Sequence, residues 1–169
     1  MSPRLDSPEH IQAYVLLLLK KHGLDDWNFR WDKARRRLGS CNCTKKTISL
    51  SAYFVALNPE KHDEILDTIR HELAHALAWK EKKARGHGKV WKEYCSKLGA
   101  KPQSKAPEGA FKNAPYKYVL RLQGSNQIIA GYYRRPAFAR NIRKLMLKGQ
   151  PETLGKLELV RVVEGNEST

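Results

Sequence analysis

One stretch of the chain combines a helical repeat with a metal-ligand spacing, and it constrains the fold more than any other. Apolar residues recur every three or four positions from Ile65 to Leu77. This period predicts a helix that begins near Asn58-Pro59-Glu60 and ends at about Lys83. Residues 71 to 75, inside that helix, read His-Glu-Leu-Ala-His. The chain therefore has to bury one face of a helix that also carries two histidines four residues apart.

Two histidines at this spacing can bind one metal ion. Residues four apart lie on one helix face, so the rings of His71 and His75 can converge. Glu72 cannot join both histidines as a third tetrahedral ligand, but it can reach a water as a general base. A histidine pair without a metal is the competing interpretation, and it leaves polar groups of a buried turn in need of a partner. We therefore predict a metal site with Glu72 as its catalytic residue.

The third protein ligand is less directly defined by the sequence. A metzincin would need Gly at position 78 and His at position 81, where this chain has Ala78 and Glu81. Glu93, on the next predicted helix, is one candidate for the third ligand. His87 is the candidate we favour on chemical grounds, because its flanking glycines let the backbone fold the ring back towards the helix. Three histidines and one open position are typical of a catalytic site.

The remaining elements predict a mixed α+β fold. Ser7-Pro8-Glu9 is typical of a helix start, and Gly99 is typical of a helix end. Hydrophobic periodicity and turn residues then predict helices over 8–22, 58–83, 90–98 and 136–147, and strands over 27–31, 47–51, 116–122, 128–133 and 157–163. Residues 101–115 are predicted to form a connecting loop. We divide the chain into a core, residues 1–100, and a basic, β-rich segment, residues 101–169.

The charge of the chain favours a polyanionic partner. Its formal net charge is +15, and residues 101–150 contain eleven lysines and arginines against one acid, Glu108. Such an excess attracts nucleic acid by releasing counterions. The predicted DNA-binding residues are Arg121, Arg134, Arg135, Arg140, Arg143 and Lys144. The aromatic residues interleaved with them can stack on unpaired bases or can be core residues of the predicted strands.

Membrane and disulfide classes are not indicated. No stretch reaches the roughly 18 apolar residues that a membrane span needs, and the first apolar run, Tyr14 to Leu19, is a poor signal peptide. Three cysteines do not make a disulfide framework in a domain of this size. We interpret Cys41, Cys43 and Cys95 as thiols without a metal. The expected location is intracellular, either cytoplasmic or nucleoid-associated.

Two sequence blocks together resemble a known family. Residues 71–75, His-Glu-Leu-Ala-His, and residues 85–91, Arg-Gly-His-Gly-Lys-Val-Trp, are similar to the HExxH and GHGxxF/W blocks of SprT-like zinc metalloproteases, the family that includes Spartan. The order of elements upstream also fits, with an aromatic strand, a basic stretch, Leu38-Gly39-Ser40-Cys41 and a second strand before the metal helix. The similarity covers about residues 8–100.

The resemblance implies a fold, a cofactor and an activity. The fold would be a minigluzincin-like zincin core, with one Zn²⁺ ion on His71, His75 and His87 and with Glu72 as the catalytic residue. Members of the family cleave proteins that are bound or crosslinked to DNA, and they typically use DNA as an activator. Many bacterial members end in a zinc ribbon, whereas here no cysteine follows Cys95. Residues 101–169 would resemble that region without its metal.

The expected function is therefore a DNA-associated zinc endopeptidase that acts on protein substrates in DNA-protein crosslink repair. We expect a monomer that binds DNA with single-stranded character. Two alternatives stay open at the level of sequence. One is a non-enzymatic DNA-binding protein in which the metal only supports the helix pair. The other is a zinc hydrolase acting on a small amide.

Overall fold

The fold comes from a computed structural model that describes residues 5–104, 111–112 and 114–162. The chain forms two compact units, Met1–Ala114 and Pro115–Thr169. The first contains the predicted metal motif. The predicted domain division at residue 100 stays a prediction.

The first helix, α1, is Pro8–Lys21 and begins at the predicted N-cap. The Ser7 hydroxyl accepts a hydrogen bond from the amide of His10, which satisfies one of the free N–H groups at the helix start. Ile11, Val15 and Leu19 are buried along one face. The helix therefore packs on the core through the period that its sequence predicts.

A three-stranded sheet follows, with β1 at Asn28–Asp32, β2 at Gly39–Asn42 and β3 at Thr47–Ser51. The order is β1-β3-β2, with β1 parallel and β2 antiparallel to β3. Ile48 and Leu50 on the central strand are fully buried, as their alternation predicts. Strand β2 lies at an edge of the sheet and, like β3, packs on the long helix that carries His71 and His75.

The start of the metal helix differs from the sequence prediction. A short helix, α2, occupies Ala52–Leu57, and the long helix, α3, is His62–Lys82. Asn58 does not cap α3 because its buried side chain has other partners. Its amide donates to the Phe54 carbonyl at 2.8 Å, and its Oδ1 accepts from the Lys112 amide at 2.7 Å. The start predicted at Asn58-Pro59-Glu60 was therefore wrong, and α3 begins a few residues later.

Helix α4, Lys89–Leu98, packs against α3 and closes the core of the first unit. Gly99 ends it in the left-handed conformation at φ +69°, as its position predicts. Trp91 and Cys95 of α4 are almost completely buried. The hydroxyl of Tyr94 also hydrogen-bonds the Glu81 carboxylate near the end of α3. Glu81 therefore has a structural partner between the two helices.

The second unit is a separate small sheet. Strands β4, Tyr118–Leu122, and β5, Ala130–Tyr132, form the predicted hairpin, and β6, Leu157–Arg161, pairs with the other side of β4. The helix predicted at 136–147 is a 3₁₀ segment, Ala137–Lys144. Val163, predicted to end the last strand, lies outside the described residues, as does most of 105–113.

The prediction of an α+β fold is confirmed, since helices and one three-stranded sheet share the core of the first unit. No helix among the described residues is both long and apolar enough to cross a membrane.

Candidate metal centre

Three histidine rings converge at one point of the first unit. His71 and His75 come from successive turns of α3, and His87 comes from the turn that connects α3 to α4. The Nε2 atom of His87 lies 3.3 Å from Nε2 of His71 and 3.2 Å from Nε2 of His75. Among the described residues, these three form the one cluster of possible metal ligands. The structure brings together the three residues that the sequence nominated.

The spacing of these nitrogens fits a small tetrahedral metal ion. Metal–nitrogen bonds of about 2.05 Å at a tetrahedral angle separate two ligand nitrogens by roughly 3.3 Å. Both Nε2–Nε2 separations lie within about 0.2 Å of that value. Imidazole nitrogen is a preferred donor for zinc and other first-row ions. The three histidines could therefore hold a metal ion with little rearrangement.

The turn that carries His87 owes its shape to the residues on either side of it. Gly86 has φ +71°, a left-handed conformation that glycine adopts without a side-chain clash. The Ala84 amide donates to the Ala78 carbonyl at 3.2 Å, which closes the end of α3. Gly88 is then the N-cap of α4. The chain thus reverses within a few residues and returns the ring of His87 to the helix it has just left.

The indole ring of Trp91 packs against all three histidine rings. Its indole ring centroid lies 4.7, 5.3 and 4.5 Å from the ring centroids of His71, His75 and His87. The indole N–H also donates to the backbone carbonyl of His71 at 3.4 Å. Only 1% of the residue is exposed. Trp91 therefore packs α4 on α3, as the sequence indicated, and it limits the positions that the imidazole rings can take.

Glu72 lies between the two helical histidines in sequence but on a more buried face. It is 7% exposed, and burial raises the pKa of its carboxyl to about 8, an effect that the Arg37 guanidinium opposes. Strand β2 approaches this side chain closely, since a Cβ atom at Gly39 would lie 2.9 Å from Oε1 of Glu72. The sequence did not predict this contact with β2, although a glycine inside a strand can mark a close approach.

Burial also keeps the helical histidines neutral, which is the form that binds a metal. It lowers the pKa of His75 to about 4, with a further contribution from His71 and His87. It lowers the pKa of His71 as well, with His87 adding to the effect and Asp67 opposing it. Both rings therefore offer a free nitrogen at neutral pH.

The other candidate ligands lie outside the cluster. Glu93 is exposed on α4 and does not belong to the group formed by the three histidines. The thiols of Cys41 and Cys43 are 3.9 Å apart on β2 and the turn after it, whereas Cys95 is buried on α4. Within the described part of the chain, no thiol belongs to a cluster of three or more possible ligands.

A cavity of about 470 Å³ borders the cluster of three histidines. It is lined by His87, Lys92, Pro102, Gln103 and Ser104. Sequence reasoning did not find it, because the segment after α4 reads only as a loop.

The basic residues predicted to bind DNA belong to the second unit. Arg134, Arg135, Arg140, Arg143 and Lys144 are exposed, whereas Arg121 is half-buried and pairs with Glu158 at 2.7 Å across β4 and β6. The nearby aromatic side chains contact one another. Tyr116 meets Tyr133 at 4.9 Å and Tyr132 meets Phe138 at 5.5 Å between ring centroids. Tyr116 is exposed, and Tyr132, Tyr133 and Phe138 are half-buried, so these rings pack on one another without being fully buried.

Comparison with protein-family models places this site in a known family. The model of the SprT-like family matches residues 9–111, which is more than half of the chain and runs from the second residue of α1 to beyond the end of α4. The chain belongs to the SprT-like family, and the resemblance noted in its sequence is confirmed. No curated protein and no solved structure matches the chain.

Proposed function

We propose that the chain is a zinc-dependent endopeptidase. His71, His75 and His87 would hold one Zn²⁺ ion, and Glu72 would be the general base. The observation that carries the proposal is the convergence of three histidine nitrogens, 3.2 and 3.3 Å from one another through His87, beside a buried glutamate. Membership of the SprT-like family supports a metalloprotease-like domain.

Zinc is the metal that the donor set favours. Three imidazoles whose nitrogens converge, with one position left open, are the arrangement of a catalytic zinc site. When bound, zinc polarises a substrate carbonyl and acidifies water. A purely structural zinc site would be closed by a fourth protein ligand, and no such ligand joins the three histidines among the described residues.

Glu72 is the residue proposed to move the proton. Its carboxylate would take a proton from the attacking water and give it to the leaving amine of the peptide. The surrounding helix and strand hold the group away from bulk water. Trp91 would keep the three imidazoles in place during this exchange, because its ring contacts each of them.

We infer that the substrates are proteins associated with DNA. The described part of the second unit, residues 115–162, contains ten lysines and arginines against two acids. Five of the six predicted DNA-binding residues are exposed, so their charges are accessible to phosphates. This charge supports binding to single-stranded DNA, and with it a role in removing proteins crosslinked to DNA.

A digestion assay with metal analysis tests the activity. The purified chain should contain about one zinc per molecule and should cut casein or histones, faster when single-stranded DNA is added. A chelator should stop cleavage, and zinc should restore it. Bound zinc without proteolysis under either condition would contradict the proposal and would favour a DNA-binding protein with a structural metal.

A further inference from the structure

Gly39 lies where the edge strand β2 crosses the metal helix. A Cβ atom at this position would lie 2.7 Å from Cγ2 of Thr68, and 2.9 Å from both Cγ and Oε1 of Glu72. Cβ atoms in folded proteins essentially never make contacts this short. Thr68 and Glu72 are one turn apart on α3, so they present one face of the helix to β2. The backbone of Gly39 therefore lies directly against the side chain proposed as the base.

The need for glycine here is a need for space. Gly39 is an ordinary strand residue paired with Leu50, and it is not among the glycines with positive φ. Alanine could adopt this backbone without strain. The cost of a side chain would arise only from what the added methyl meets. This separates Gly39 from Gly86, whose left-handed conformation is what the turn before His87 requires.

The two side chains that face Gly39 differ in their freedom to move. The Thr68 hydroxyl donates to the Glu64 carbonyl at 2.9 Å, which holds its methyl towards the strand. The Glu72 side chain has three rotatable bonds and, unlike Thr68, is not held by a hydrogen bond to the backbone of α3. An added methyl at position 39 would therefore displace the end of Glu72 more readily than it displaces Thr68 or the backbone.

We propose that Gly39 is a positioning residue for Glu72: the missing side chain leaves a slot, bounded by Thr68, that fixes where the Glu72 carboxylate lies. The catalytic consequence rests on the proposed function. The slot itself is a packing feature and can be tested without any activity.

The test compares zinc-loaded wild type with Gly39→Ala, using Ser40→Ala as the control. Ser40 is the next residue of β2, and its hydroxyl contacts Ser49 of β3 instead of α3. Gly39→Ala should keep its zinc affinity and its fold but lose about 100-fold in kcat, since a misplacement of about 1 Å can cost that much. Adding Thr68→Ser should restore part of kcat, because it removes the competing methyl and keeps the hydroxyl.

A double-variant cycle provides a readout that is independent of catalysis. The loss of unfolding free energy caused by Gly39→Ala should be smaller in a Glu72→Ala background than in wild type, because the clash with the longer side chain is then absent. Urea unfolding of the zinc-loaded proteins measures it.

The outcomes separate this inference from the proposed function. Unchanged kcat in Gly39→Ala, a kcat loss that only follows lost zinc, or an equal stability cost in both backgrounds would overturn the slot. A wild-type protein that binds zinc and cuts nothing would instead overturn the protease, while the unfolding cycle would still decide whether the slot exists.

Discussion

His87 is the residue on which the proposed metal site depends most, because it is the one proposed ligand that α3 does not supply. The helix alone provides two nitrogens, and the third arrives only when the chain reverses through Gly86. Replacing His87 by Ala should lower zinc affinity by at least about 100-fold, since even the loss of an outer-shell partner costs 10- to 100-fold. Competition with a chromophoric chelator measures the change.

The control for His87 is His62, an exposed histidine in the first turn of α3. His62→Ala should bind zinc as wild type does. Equal zinc affinity in His87→Ala and His62→Ala would mean that Glu93 or another group completes the site. The convergence of the three rings would then not reflect zinc binding by His87.

At the scale of residues, the sequence was sufficient wherever local geometry decides. A helix fixes the spacing of His71 and His75, and the flanking glycines indicated that His87 could turn back. The contact of Gly39 with Glu72 could not be predicted in the same way. It joins residues 33 positions apart, and it depends on which strand lies at the edge of the sheet.

At the scale of elements, α4 is held on α3 by buried groups that tolerate little change. Burial raises the pKa of the Cys95 thiol from 9 to about 11, with smaller contributions from Asp67 and Glu72. The folded protein therefore keeps this proton at pH values where the unfolded chain has lost it. The contribution of Cys95 to stability is complete below about pH 9 and falls as the pH rises towards 11.

Cys95→Ala tests this linkage. The variant should be less stable than wild type at pH 8 because it leaves a small cavity. Between pH 9 and pH 11 the difference should shrink by up to about 2 to 3 kcal/mol, since only wild type carries the titrating thiol. Urea unfolding of both proteins at pH 9 and pH 11 measures this change. A stability difference that does not change with pH would contradict a buried, protonated thiol.

The start of α3 is the element boundary that the sequence did not predict correctly. The stretch Asn58-Pro59-Glu60 has the residues of a helix start, yet α3 begins at His62. Asn58 is instead engaged with Phe54 of α2 and with Lys112, which is 54 positions away. A tertiary partner overrode the local signal, and a six-residue helix such as α2 is too short to show a clear period.

At the scale of the molecule, the excess of positive charge predicts a salt-dependent affinity for single-stranded DNA. Each phosphate contact contributes about 0.7 to the slope of log affinity against log salt. Replacing both Arg140 and Arg143 by Gln should therefore reduce that slope by about 1.4. Fluorescence anisotropy over a salt series measures it.

The matched control removes the same charge elsewhere. Replacing Lys20 and Lys21 of α1 by Gln changes the net charge equally and should leave the slope closer to that of wild type. A slope that falls equally in both double variants would show that net charge, and no particular surface, governs binding.

Glu72 is proposed as the base of a zinc endopeptidase, and its replacement by Gln at equal zinc content tests that role. Zinc-loaded wild type and Glu72→Gln, matched in zinc content, would digest a protein crosslinked to single-stranded DNA. Because general-base catalysis contributes about 100- to 10,000-fold, the variant should cleave slower by a factor in that range while it retains its zinc. Cleavage at the wild-type rate by Glu72→Gln would contradict the mechanism.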